Sequence, residues 1–526
     1  MEQPYLPYEL WDKVLSRLRQ KYNEKDKTDP MDELWDDKSG IGYHLSMPSP
    51  TTLLNFSLVS KMTLGLAQPK LYKTVVVRDN ASHLRLLMAF IRDPVLGQYV
   101  ENLAIFDNTC WENTTELCAD VYDAFVKAQP NLILPTKLRR YIGSGLKRGR
   151  TWAIVALLIA FCPRVKQLNL VMSYAKEFPW KVLKEVTKVY QVTEWPTVRL
   201  LSTGHLSQLR KLRLATAEYE RGYYDNDESI SVTPIQLPNL STLVCDFADR
   251  QYHEEQLTII PHEIGLRRLD LTHPQITSHE FLNIFHQTPE LRVLQIKLTD
   301  CYHSWTEFST TLPQLGDALR GYGDYWKDEG GPYLETLIIH SGNHLSRSTS
   351  RIGSLRLLSN LKTLSIELSD LVGKMTSRFV NANTRDFIEW AASASDSPPL
   401  MINNELPTSL ESLEIQYDYY DTPLFLGYLH DQVVAMITDD TRENLREVLV
   451  QTHTNGRNML SYRRNMEDPC RRDGEGSNWV ITTCDSQHDV EIRRALDEFR
   501  VDRYPGVDFS SLFSVTQEEP PAGIPW

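Results

Sequence analysis

The feature that most restricts the fold is a six-residue pattern, apolar-x-x-apolar-x-apolar, that recurs along most of the chain. It reads VENLAI (100–105), VKQLNL (165–170), LRKLRL (209–214), LSTLVC (240–245), LRRLDL (266–271), LRVLQI (291–296), LETLII (334–339), LKTLSI (361–366), LESLEI (410–415) and LREVLV (445–450). From 165 onward the starts are 44, 31, 26, 25, 43, 27, 49 and 35 residues apart. One such hexamer is weak evidence, because Leu is common. Nine in order over about 285 residues specify a repeated structural unit.

The local geometry predicts what that unit is. In LRRLDL, Leu269 and Leu271 are two apart and share one face of a strand, with Asp270 on the other. Leu266 enters the same interior from the preceding turn. Such a strand cannot bury its single apolar face alone, but parallel stacking builds one continuous core, at roughly 1.5–3 kcal/mol per buried Leu. Parallel neighbours need a long return crossover, usually helical. The intervals supply candidates: Leu117, Val121 and Phe125 at four-residue steps, Ile154–Phe161 before Cys162-Pro163, Glu280–Phe285 before Thr288-Pro289, and the stretches 379–390 and 424–437. The expected fold class is α/β, a βα solenoid with a stacked parallel sheet.

The residues alternating with the buried ones form the open face of such a sheet. They are Lys211, Arg213, Arg268, Asp270, Gln295, Lys297, Ile338, His340, Glu367, Glu414, Gln416 and Glu447. Basic positions fall mainly in the 211–297 half and acidic ones towards 367–447, which suits a protein partner carrying both signs of charge. Three segments rich in Tyr, Trp, Asp and Glu, at 219–228, 322–329 and 417–421, read as loops and as hot-spot candidates.

These hexamers resemble leucine-rich repeats, in particular the irregular ones of fungal F-box proteins, over about 100–451. Regular repeats carry Asn three positions after the third apolar residue. Here those positions hold Ser173, Ala217, Pro274, Thr299, Gly342, Ser369 and Asp418, so a regular asparagine ladder is not expected. The N-terminus adds to the resemblance. Leu6-Pro7-Tyr8-Glu9-Leu10 leads into a helical stripe through Val14 and Leu18. Leu53-Leu54-Asn55-Phe56-Ser57-Leu58-Val59-Ser60-Lys61 then continues to Leu66-Ala67, Pro69 and Leu71-Tyr72, and KTVVV (73–77) closes the module as a first edge strand. This outline is similar to an F-box, interrupted by a polar insertion at 21–50.

The resemblance implies a small helical F-box module over 1–77, an irregular leucine-rich-repeat solenoid over 78–451, and a C-terminal cap with a flexible tail over 452–526. It also implies docking to the Skp adaptor of a cullin scaffold through Leu6, Pro7, Leu10, Val14, Leu54, Leu58 and Val59. The repeats would hold a protein destined for ubiquitination. Within 452–526, the polar run 455–477 reads as a long loop, WVITTC (479–484) as a strand and Val490–Phe499 as a short helix.

Composition narrows the alternatives. Lys and Arg number 56 against 69 Asp and Glu, a net charge of −13 that disfavours broad binding to nucleic acid or to anionic lipid. The longest apolar run, Ala153–Cys162, is too short to span a bilayer. Seven Cys without a C-x-x-C pair, and no apolar leader, fit reduced thiols in the cytoplasm or nucleus. No phosphate loop, zincin pair, calcium loop or nucleophile elbow appears, so no cofactor, no metal and no enzymatic activity are expected. Gly143–Arg150 is Gly-rich and basic but reads as a solvated loop. The expected function is that of a substrate-recognition subunit of an SCF-type ubiquitin ligase. The alternatives are an interaction scaffold uncoupled from ubiquitination and, third, a hydrolase with an unrecognised site.

Overall fold

A computed structural model describes residues 61–77, 80–106, 115–128, 136–172, 206, 208–216, 230–231, 237, 239–246, 248–249, 265–272, 276–298, 305–326, 332–341, 352–372, 402–417, 429, 432–437, 439–452, 458–464 and 479–483. The chain divides into two compact units, one covering 1–247 and the other 267–526, with short exchanges between 248 and 266. The seven expected adaptor-docking residues, the insertion at 21–50 and the stretches 219–228, 379–390, 418–421 and 490–499 lie outside the described residues.

In the first unit, helix α1 (Lys61–Leu71) leads into strand β1 (Thr74–Val77), followed by β2 (Asn102–Phe106), β3 (Gln167–Met172), β4 (Lys211–Thr216) and β5 (Thr242–Asp246). These five strands hydrogen-bond in that order and all run parallel. The crossovers carry α2 (Asn80–Arg92), α3 (Thr115–Ala128), α4 (Thr136–Lys147) and α5 (Thr151–Phe161). Helix α5 packs against α2 and α4. It is apolar on every side, and Ala153 to Ile159 are all buried, as a helix enclosed within a core requires.

The second unit holds β6 (Arg268–Thr272), β7 (Val293–Leu298), β8 (Thr336–Ser341), β9 (Thr363–Glu367), β10 (Ser412–Tyr417), β11 (Glu447–Thr452), β12 (Asn458–Arg464) and β13 (Trp479–Thr483). They too follow chain order, parallel through β11 and antiparallel for β12 and β13. Helices α6 (Ser278–Gln287), α7 (Trp305–Trp326) and α8 (Leu368–Val372) lie in its crossovers. A capping box opens α6: the Thr277 hydroxyl accepts from the Glu280 N–H, and the Thr277 N–H donates to the Glu280 carboxylate at 2.7 Å.

Each hexamer places its strand two residues after its first apolar residue, and that first residue is buried in every described repeat. A recurring turn sets it there. The N–H groups of Val100, Leu209, Leu240, Leu291, Leu361 and Leu445 donate to the carbonyls of Gly97, Leu206, Leu237, Thr288, Leu358 and Arg442, three residues back. The second and third apolar residues, such as Leu168 and Leu170 or Leu413 and Ile415, align in register across neighbouring strands and are fully buried.

Three expectations need correction. Gly143–Lys147 belongs to the last turns of α4 rather than to a solvated loop. Ile142 and Leu146 are buried there, and Gly149, at φ +65°, makes the turn into α5. Tyr322–Trp326 ends α7 instead of forming a loop, because Leu312, Leu315, Leu319 and Tyr322 make one buried helical stripe. That helix lies close to the segment 352–358, where a Cβ on Gly316 would fall 1.7 Å from the Ile352 carbonyl oxygen. Finally, Asn458–Arg464, read as loop, is strand β12. Its Tyr462 is fully buried and pairs with Val448 and Ile481.

Candidate docking surface

Because side chains alternate along a strand, the residues between the buried ones form a second, outer face. In the first unit its central row is Val76, Ala104, Asn169, Arg213 and Val244, matched by register. Beside it runs Thr74, Asn102, Gln167, Lys211 and Thr242. Lys211 is half-buried. Arg213, one of the nominated residues, is only 6% exposed. Asn169 is 1% exposed, and its amide finds no hydrogen-bond partner among the described residues.

The second unit carries the other ten nominated residues. One row reads Asp270, Gln295, Ile338, Ser365, Glu414, Leu449 and Ser461. A parallel row brings Lys297 beside His340 and Glu367 beside Gln416. Arg268 and Glu447 stand at the start of β6 and β11. All are exposed or half-buried except Glu367, which is 8% exposed.

Their polar contacts form a defined network. Arg268 pairs with Asp270 at 2.9 Å and reaches the Gln295 side-chain oxygen at 3.3 Å. Glu447 pairs with Arg463 of β12 at 2.6 Å. Gln416 donates from Nε2 to Glu414 at 3.3 Å and to the Ser365 hydroxyl at 3.4 Å, while its Oε1 lies 3.0 Å from His340 Nδ1. An ionised carboxylate only accepts, so Glu414 fixes the Gln416 amide orientation. His340 must then carry its proton on Nδ1. The surface thus offers oriented acceptors, a fixed imidazole and two arginine–carboxylate pairs.

A further set of residues carries its signal in charge rather than in apolar spacing: the second hexamer position, charged in nine of the ten hexamers. These residues sit just before each strand and form a ladder. In the first unit the Lys73, Glu101, Lys166 and Arg210 carbonyls each accept two N–H bonds from the next repeat. In the second unit Arg267, Arg292, Glu335, Lys362 and Glu411 do the same. Signs alternate where side chains meet: Glu101 lies 3.6 Å from Lys73 and 3.1 Å from Lys166, Arg292 3.3 Å from Glu335, and Arg446 3.7 Å from Glu411. Partial burial works to raise the Glu101 pKa, but Lys166 and Lys73 outweigh it and hold the carboxyl below its ordinary value. This ladder ties the repeats together at the edge where strands begin.

Among the aromatic segments, Tyr322 is core, packed on Phe285 at 5.0 Å between ring centres, and burial raises its phenol pKa. Tyr325 is 62% exposed and sits 4.5 Å from the His286 ring. Among the described residues no group of His, Cys, Asp and Glu could hold a metal ion, and no helix is long and apolar enough to cross a membrane. No protein-family model matches the chain, and a search of curated proteins returns no significant match.

Proposed function

We propose that this protein is a substrate-recognition subunit of an SCF-type ubiquitin ligase, with an F-box at its N-terminus and leucine-rich repeats presenting the target. The observation that carries the reading is the continuity at the start of the array. The L-V-S-K segment runs into helix α1, and α1 runs within three residues into β1, the first of the parallel strands. An F-box joined to repeats has this arrangement of helix and first strand. On this reading Leu6, Pro7, Leu10, Val14, Leu54, Leu58 and Val59 form the adaptor-facing surface, and the Skp adaptor hangs the protein on the cullin scaffold.

The protein then acts by proximity. Holding a target beside the charged ubiquitin-carrying enzyme raises the local concentration of target lysines at the thioester. The outer strand face of the second unit, with its oriented carboxylates and imidazole, supports the target-holding half of this reading. The test is co-purification of the full-length chain with the Skp adaptor. The wild type is expected to capture it. Leu6→Asp combined with Leu58→Asp is expected to abolish capture while the circular dichroism of the array is unchanged. A folded full-length chain that never captures the adaptor overturns the proposal and leaves an interaction scaffold in its place.

A further inference from the structure

We infer that the row Ile338, Ser365, Glu414, Leu449 and Ser461 on the outer face of β8–β12 is a docking track for an extended partner segment that places a Lys or Arg on Glu414. The inference rests on reading the strand face as the target-holding surface and adds the chemistry of what it holds. These five residues follow one another in register across five strands. The two small ones, Ser365 and Ser461, are 4% and 3% exposed, whereas Ile338, Glu414 and Leu449 stand half-buried on either side of them. The row is therefore a sequence of low and high points, with aliphatic shoulders flanking a carboxylate.

Charge complementarity names the occupant. Asp270 and Glu447 on the same face each have their own arginine, Arg268 and Arg463. Glu414 has none: among the described residues its one polar contact is the neutral amide of Gln416 at 3.3 Å. The outer positions of β8, β9 and β10 contain no Lys or Arg, and Glu367 adds a second carboxylate one step along β9. A Lys or Arg side chain fits both parts of the row, its methylene stem against Ile338 or Leu449 and its charged head at Glu414. The Ser461 hydroxyl on the same row is covered and has no hydrogen-bond partner among the described residues, so this low point of the track offers shape rather than a hydrogen bond.

The experiment measures fluorescence anisotropy of two synthetic peptides, one alternating Val and Arg and the other alternating Val and Glu, with the full-length protein. The Val-Arg peptide is expected to bind the wild type and to lose about tenfold or more in affinity on Glu414→Arg, with a smaller loss for Glu414→Gln. Asp324→Arg, at an exposed carboxylate of helix α7, is expected to leave binding unchanged, and Glu414→Arg is expected to improve binding of the Val-Glu peptide. Equal binding of both peptides, indifference to Glu414→Arg, or an equal loss from Asp324→Arg overturns the inference. Skp-adaptor capture by the same preparations reports separately on the ligase reading. Glu414-dependent binding without capture removes the ligase and keeps the track; capture without Glu414-dependent binding does the reverse.

Discussion

The two units share an inner face and differ in the outer one. Leu168 and Leu170 in the first unit do the same work as Leu413 and Ile415 in the second: all are fully buried and aligned with equivalent residues on the neighbouring strands. On the outside, the first unit presents amides and two cations, with Ala104, Asn169 and Arg213 buried at its centre. The second presents Glu414 and His340, joined through Gln416 in a connected polar network, with Glu367 beside Gln416 in register. The inner face answers to the common requirement of filling a core, so its residues are interchangeable aliphatics. The outer face is free of that requirement, and there the two units have diverged in charge and burial.

The comparison breaks first if the inner faces are not equivalent. Leu168→Ala and Leu413→Ala each remove a side chain with no exposed surface, and each is expected to cost roughly 3–5 kcal/mol in urea unfolding. A cost below about 1 kcal/mol at either site would mean that its unit does not share the packing of the other.

Arg442 is a feature of the second unit alone. It is 5% exposed, donates to the Pro407 and Leu406 carbonyls at 2.8 and 3.0 Å, and contacts Asn403 through both its side-chain and backbone oxygens. Arg442→Ala strands these carbonyls and is expected to cost roughly 2–4 kcal/mol, with faster hydrogen exchange in 402–410. The neighbouring Asp439 is held down to about 2 by hydrogen bonds from Asn403 and Thr441. Its folded pKa lies below its unfolded one, so its contribution is present above about pH 4 and is lost as pH falls towards 2. Asp439→Asn is expected to flatten the stability profile in that window.

Smaller effects sharpen the contrast between the outer faces. Asn169→Leu removes a buried amide that has no hydrogen-bond partner among the described residues and is expected to stabilise by about 1 kcal/mol. Ser365→Leu, which removes the hydroxyl that Gln416 contacts, is expected to destabilise by a similar amount, both read from urea midpoints. Thr277→Ala, which opens the capping box of α6, is expected to cost about 1 kcal/mol by the same measurement. Smallest is the ladder: Glu101→Gln is expected to cost under about 0.5 kcal/mol, with the difference shrinking at high salt, because the Lys73 and Lys166 pairs are partly open to solvent.

The strands were legible because a period-two aliphatic pair admits few structures, and the first apolar residue announced the turn before each one. All ten hexamers became strands, with KTVVV and WVITTC besides. Helix α3 was legible from its clean four-residue step, and α5 and α6 from apolar stretches placed before Pro-bearing turns and the next strand. Helix α7 was obscured by its acidic and aromatic end, where a buried Tyr322 and an exposed Tyr325 share one composition. Strand β12 was hidden by its own arginines: NMLSYRR buries Tyr462 while Arg463 serves as an ion-pair partner on the other face. Of the candidate surface, membership of the outer face could be read from alternation. Pairing could not, because which carboxylate keeps an arginine depends on register between strands tens of residues apart.

The central claim is that, within each unit, successive hexamers form parallel, in-register strands that bury their aliphatic pairs. Cysteine cross-linking of the full-length protein, mapped by mass spectrometry, tests it directly at β7 and β8. Parallel register places Val293 opposite Thr336 and Lys297 opposite His340. The Val293→Cys/Thr336→Cys pair is therefore expected to cross-link with a short bismaleimide, and the Val293→Cys/His340→Cys pair is not. The opposite pattern would mean an antiparallel hairpin and would contradict the account.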